Sequence, residues 1–177
     1  MKTLVSTLLV LVVAAAGTAV AAAPTVQLKP ATDSVKVTID GKPFATYNTS
    51  SKLPKPFFLP VRGPEGTVIT RALEHQEDHP HHKGVWVAVD EINEVKFWAE
   101  KGKIRNRKVS LDRKKGNPAV MVVTNDWLGG DGKPIVVETT RISIYAHRLF
   151  TYDITFTAHR DTVTFGDTKE GLFGIRM

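Results

Sequence analysis

The chain has 177 residues, of which 42% are hydrophobic and 24% charged, and a formal net charge of +6. That length suits one domain with its own core, and that composition excludes a globally disordered chain. There is no cysteine, which removes disulfides, thiolate nucleophiles and cysteine-ligated zinc and leaves packing to supply the stability.

Residues 1–23 read as a leader. Lys2 is the only charge before Lys29, the stretch from Leu4 to Val20 is apolar, and Ala19-Val20-Ala21 and Ala21-Ala22-Ala23 offer small-residue exits. A basic start, an apolar middle and an A-x-A end describe a secretory signal peptide, so a periplasmic or secreted location is expected. No later run approaches the ~20 apolar residues of a bilayer span, which excludes a polytopic membrane protein and predicts no membrane contact after cleavage. Residues 24–34, with Pro24, Pro30, Thr32, Asp33 and Ser34, read as a linker, and residues 35–177 as the domain.

From there the pattern is β. Val35, Val37 and Ile39 alternate with Lys36 and Thr38, Asp40-Gly41 is a hairpin signal, and Phe44–Tyr47 is the return strand. Phe57–Val61 is a further apolar run, turned back by Gly63-Pro64-Glu65-Gly66 into Thr67–Thr70. Strands are also expected at 85–89, 120–124, 135–145, 149–158 and 162–165, with a loop over 125–134. Glu91 to Glu100 has weak periodicity that allows one helical turn. The sum predicts an all-β chain, an antiparallel β-sandwich preceded by a signal peptide. Leu172 to Met177 starts as a strand and stops, so the domain is expected to be a fragment of a larger sandwich.

The positive charge gathers at Lys101–Lys108 and Asp112–Lys115. Neither stretch interleaves aromatics and no nucleic-acid-binding motif spacing occurs, so a solvated basic face is expected and no nucleic-acid partner.

Four constellations carry possible chemistry. Four of the six histidines fall within eight positions, in Glu74-His75-Gln76-Glu77-Asp78-His79-Pro80-His81-His82-Lys83-Gly84. Pro80 biases His79 towards extended backbone, which predicts His79 and His81 on one side and His82 on the other. His79, His81 and His82 are candidate ligands for a divalent metal, and His79 and His81 equally candidate acid/base groups, against a histidine-rich surface turn with no role. Trp86 and Trp98, with Glu100, suit a saccharide, whose C–H faces stack on rings; ordinary core packing is the alternative. Glu138 and Arg141, three apart on one strand, face opposite sides and are weaker candidates. Asp167 and Glu170 lie in a glycine-bounded turn near Arg176, where two carboxylates divide acid and base roles if they share a cleft. There is no P-loop, dinucleotide fingerprint, nucleophile elbow or zincin helix.

The strings Asp78-His79-Pro80-His81-His82-Lys83-Gly84-Val85-Trp86 and Gly166-Asp167-Thr168-Lys169-Glu170-Gly171-Leu172-Phe173-Gly174-Ile175-Arg176, with Pro56–Gly66 and Val95–Glu100, resemble the bacterial PmoA-like domains, largely of unknown function and common in exported proteins of polysaccharide-degrading bacteria. The resemblance spans residue 35 to the end. It implies a carbohydrate-active kind of β-sandwich that runs on for a further hundred or so residues, and a site lined by His79, His81, His82, Trp86, Trp98, Glu100, Asp167, Glu170 and Arg176. Methane monooxygenase activity, which the family's nickname suggests, is excluded because a polytopic copper subunit cannot be built from this chain.

The expected function is therefore that of an exported protein acting on a small or polymeric saccharide as a hydrolase, lyase or epimerase. His79, His81, Asp167 and Glu170 would be catalytic, and Trp86, Trp98, Glu100 and Arg176 would bind substrate. A non-catalytic carbohydrate-binding module and a metal-binding protein are the alternatives.

Overall fold

The computed structural model describes residues 22–74, 78–160 and 162–177. The leader, apart from its last two residues, therefore lies outside the described residues, as do His75, Gln76, Glu77 and Asp161.

Apolar–polar alternation becomes strand wherever one face of the segment is buried. The elements are β1 (Val26–Ala31), β2 (Ser34–Ile39), β3 (Lys42–Asn48), β4 (Phe57–Val61), β5 (Val85–Val87), β6 (Glu91–Ile92), β7 (Val95–Lys96), β8 (Lys103–Arg113), β9 (Lys115–Gly116), β10 (Ala119–Leu128), β11 (Pro134–Ile144), β12 (Phe150–Ala158) and β13 (Phe173–Ile175). They form a seven-stranded sheet ordered β13-β5-β4-β3-β2-β1-β9, a four-stranded sheet ordered β12-β11-β10-β8, and the hairpin β6-β7. The strand pairings are antiparallel. Among the described residues no helix is long and apolar enough to cross a membrane.

The two large sheets pack face to face. Val35, Val37 and Ile39 of β2 share one buried cluster with Met121 and Val123 of β10 and Ile142 and Ile144 of β11. A second cluster, built around Phe57, Trp86, Phe97, Trp98 and Trp127, lies beneath the candidate site. Each such side chain contributes about 1.5–3 kcal/mol through apolar burial. The all-β sandwich expectation holds, and Asp40-Gly41 makes the expected turn, with φ of 49° and 78° at its two central residues.

Several local expectations do not hold. The segment read as a linker contains β1, which pairs with β2 from Val26↔Ile39 to Ala31↔Ser34. Val26 and Leu28 are buried on one face, and Pro30 lies beyond Val26 and Gln27, the two residues that β9 pairs with. Residues 91–100 form no helical turn. They hold the hairpin β6-β7, with Asn93 and Glu94 at φ of 48° and 66°. The expected loop over 125–134 starts late, because β10 runs on to Leu128 and buries Asn125 and Asp126 at 3% and 2% exposure. Their polarity is satisfied in place: Asn106 Nδ2 donates to Asn125 Oδ1 at 2.9 Å, and Arg105 and Arg107 pair with Asp126. The basic stretch is largely the edge strand β8, whose lysines and arginines guard an open sheet edge. The expected strands at 67–70 and 162–165 reduce to single bridges, Arg62↔Val68 and Ile92↔Phe165.

Candidate functional site

The site is built around β5. Trp86 pairs across β4 with Phe57 and across β13 with Gly174. Gly174 lies so close to the indole that a Cβ there would sit 2.2 Å from Trp86 Cζ2. The chain enters β5 through Gly84, at φ +59°, where a Cβ would stand 2.0 Å from the carbonyl oxygen of Phe58. Only glycine fits that approach.

Just before Gly84 the histidines form a turn. His79 takes φ +46°, Pro80 follows, and His82 N donates to His79 O at 2.9 Å. Lys83 Nζ closes the same turn by donating to Pro80 O at 2.8 Å. The extended geometry predicted for this segment, with His82 facing away, is thus replaced by a turn that gathers all three rings. The rings of His79 and His82 stack 4.8 Å apart, and that of His81 meets His82 edge-on at 4.5 Å. His82 in turn stacks on Trp86 at 5.3 Å and meets Trp98 edge-on at 5.7 Å.

Two ion-pair groups frame the turn. On the inner side, Lys55, only 1% exposed, donates from Nζ to His81 O at 2.7 Å and to Glu100 Oε1 at 2.6 Å. Lys83 Nζ takes the other carboxylate oxygen, Oε2, at 2.5 Å. On the outer side Asp78 holds Arg71 Nη1 at 2.5 Å and Arg176 Nη2 at 2.7 Å, with His79 Nδ1 at 3.2 Å. Arg176 is fixed by its backbone as well: its N donates to Gly84 O, and its O accepts from Arg71 N. Strand β13 therefore delivers Arg176 to the histidine turn from 98 residues away in sequence.

This setting fixes protonation. Burial, reinforced by the neighbouring His81 and His79 rings, pulls His82 down to about 4, and burial also lowers His81, with Lys55 pressing in the same direction. Both imidazoles are neutral at pH 7. Burial draws Lys55 down to about 8 while Glu100 resists, and hydrogen bonding from His79, with Arg71 and Arg176, holds Asp78 at about 2.

Of the residues singled out in the sequence, His79, His81, His82, Trp86, Trp98, Glu100 and Arg176 come together. Three of them have surroundings unlike those expected. Trp86 and Trp98 are 2% and 8% exposed and form the floor beneath His82, because large apolar rings are most stable out of water, so neither is an open stacking platform. Glu100 has both oxygens engaged by lysines, which tie it to the turn. The three imidazoles do not form a ligand set either. Ring-nitrogen lone pairs lie in the ring plane, so the stacked rings of His79 and His82, 20° apart in orientation, aim theirs side by side rather than at one point. Among the described residues no group of three or more His, Cys, Asp or Glu is arranged to hold a metal ion.

Asp167 and Glu170 do not touch the histidines. Their segment is tied instead to β6, through Gly166 N to Glu91 O and the Ile92↔Phe165 bridge. Among the described residues Asp167 makes no side-chain hydrogen bond or ion pair, and Glu170 meets only Lys169, at 3.6 Å. Among the described residues, Asp78 and Glu100 are the carboxylates paired at the site.

Glu138 and Arg141 do face opposite ways. Arg141 meets Asp112 at the surface. Glu138 is 2% exposed and accepts from Trp127 Nε1 at 2.8 Å and Thr140 Oγ1 at 2.6 Å, with its carboxyl pushed up by burial. It borders a small cavity of about 10 Å³, the space of one water molecule, that Trp86 also lines.

A family model matches residues 34–177. The chain belongs to a family of unknown function, DUF6807. Both the histidine turn and Arg176 fall inside the stretch that matches DUF6807, so the site is part of the family domain and not an appendage to it. No curated protein and no solved structure matches the chain.

Sequence reading gave Lys55, Arg71 and Lys83 no role. Lys55 had a signal, a lone charge inside Leu53-Pro54-Lys55-Pro56-Phe57-Phe58, since lysine is almost never fully buried unless paired. Arg71 had none, because its partners come from a turn and a distant strand.

Proposed function

We propose that this DUF6807 domain is an exported carbohydrate-active protein in which the His79–His82 turn and Arg176 form the site that binds a saccharide and moves a proton on it. The PmoA-like resemblance of the histidine and C-terminal motifs is part of this reading, and so is the leader. The observation that carries it is the turn itself: three imidazoles, at least two of them neutral at pH 7, held on a rigid aromatic floor beside a partly exposed arginine. A neutral imidazole accepts a proton, as a hydrolase, a lyase or an epimerase each requires of its base. His81 is half-buried, as His82 is, and the Lys55 hydrogen bond to its backbone carbonyl fixes its position. His79 is more exposed and closes the outer edge with Asp78.

Two observations favour this reading over its rivals. A binding module that stacks sugars on tryptophan needs exposed indoles, and these are covered. A metal centre needs converging lone pairs, and these rings stack. The test is incubation of the full chain with a glycan panel, with and without chelator, followed by mass spectrometry of the products. Chelator-insensitive turnover that falls by about 100-fold or more in His81→Ala is the expected result, in line with the usual share of a general base. Turnover unchanged in His81→Ala, or no glycan altered, overturns the reading.

A further inference from the structure

We infer that the saccharide taken by this site carries an oxyanion, a uronate carboxylate or a sulfate ester, and that Arg176 receives it. The inference rests on the saccharide reading above and adds the substrate class.

The first support is charge. Among the described residues, Lys55, Lys83, Arg71 and Arg176 meet only Glu100 and Asp78 in the two ion-pair groups. Neutral His81 and His82 add nothing to either side at pH 7, so these described groups carry a positive excess. Glu100 is spent, since each oxygen already serves one lysine. Asp78 alone must serve two guanidinium groups.

The second support is the kind of hydrogen-bonding group left over. Among the described residues, two guanidinium nitrogens at this site lack a partner, Arg71 Nε and Arg176 Nε. Both are donors. A buried donor without an acceptor costs about 1–3 kcal/mol. A sugar hydroxyl brings a donor with its acceptor, whereas a carboxylate or sulfate brings acceptors only. The site is short of what an oxyanion supplies.

The third support is access. The Arg176 side chain is 34% exposed and that of Asp78 is 57% exposed. Asp78 Oδ2, 2.7 Å from Arg176 Nη2, occupies from within the chain the position that an external carboxylate would take on a guanidinium. A ligand oxyanion binds there by sharing or displacing Asp78.

The test titrates the full chain calorimetrically with a uronate trisaccharide, a sulfated trisaccharide of the same linkage, and the carboxyl-reduced neutral counterpart. One or both anionic sugars should bind at least about 10-fold more tightly than the neutral one, and the advantage should shrink as salt is added. Which of the two binds identifies the oxyanion. Arg176→Gln should weaken the anionic sugar about 10- to 100-fold, the range for losing a charged hydrogen bond, and weaken the neutral sugar by a clearly smaller factor. Arg176→Lys, with circular dichroism to show that it folds, should recover part of the loss by restoring the charge without the fork. A neutral sugar bound as tightly as its anionic counterparts, or equal losses for both kinds in Arg176→Gln, overturns the inference and leaves the saccharide reading standing. Binding of none of the three overturns both.

Discussion

Glu100→Gln keeps the shape of the side chain and removes the charge on which two lysines converge. Lys55 is 1% exposed, and its Nζ lies 2.6 Å from Glu100 Oε1. Burial has drawn this ammonium from 10.5 to about 8, with Glu100 holding it up against that pull. Without the carboxylate, Lys55 either stays charged and unpaired, at a cost of about 3–5 kcal/mol, or releases its proton. At pH 7, about one unit below its folded pKa, release costs about 1.4 kcal/mol, so that route sets the ceiling on the Lys55 share. Lys83, 2.5 Å from Oε2, exchanges a charged acceptor for a neutral one, which adds about 1 kcal/mol. The variant should therefore be less stable by about 2–2.5 kcal/mol at pH 7, a fall in Tm of about 5–10 °C for a domain of this size. The sign with pH follows from linkage. The folded ammonium has the lower pKa, so the folded chain binds fewer protons than the unfolded one between about 8 and 10.5, and the Lys55 contribution to wild-type stability rises across that window. At pH 9 Lys55 is largely neutral in both proteins, and the penalty should contract to about 1 kcal/mol, the Lys83 share. Urea denaturation of both proteins at pH 7 and pH 9 measures it. A penalty that is the same at the two pH values, or below about 0.5 kcal/mol at pH 7, would show that the buried ion pair does not organise this site.

Two further outcomes are expected. In an NMR titration the His82 ring should stay neutral to well below pH 6 and titrate near 4, because burial strips water from the charged form and the His81 and His79 rings sit beside it; a midpoint near 6.5 would mean that the ring is not packed as described. Gly174→Ala puts a methyl 2.2–2.6 Å from three atoms of the Trp86 ring, which His82 also covers, so it should cost about 1–3 kcal/mol by overpacking. Thermal melts would register that as a lower Tm, with a change in tryptophan fluorescence, and an unchanged melt would place β13 away from Trp86.

The parts of the site legible in the sequence were those whose signal is local. The His-Pro-His-His string announces itself by composition, and Gly174 and Arg176 sit in a recognisable run. What the sequence misplaced depended on partners far along the chain. Asp126 fell in the loop expected from Gly129, Gly130 and Gly132, yet it is buried in β10, because Arg105 and Arg107 arrive from β8 to pair with it. Asp167 and Glu170 read as catalytic because two carboxylates share one turn, yet that turn is tied to β6, and among the described residues neither carboxylate pairs with a histidine. Lys55 went unread because its partners, Glu100 and the His81 carbonyl, lie 45 and 26 residues away.

The sequence alone determined the all-β class, the Asp40-Gly41 hairpin and the presence of an imidazole-rich segment. Alternation, turn chemistry and composition act over a few residues and need no partner to be read. The tertiary structure decided that the histidines form a turn rather than a strand entrance, that both tryptophans lie beneath them, and that Arg176 closes the group. Those outcomes depend on sheet order: β13 pairs with β5, and only that pairing brings Arg176 to Asp78 and sets Gly174 against Trp86. Pairing between strands almost ninety residues apart follows from the burial of a whole sheet, and no local pattern encodes it.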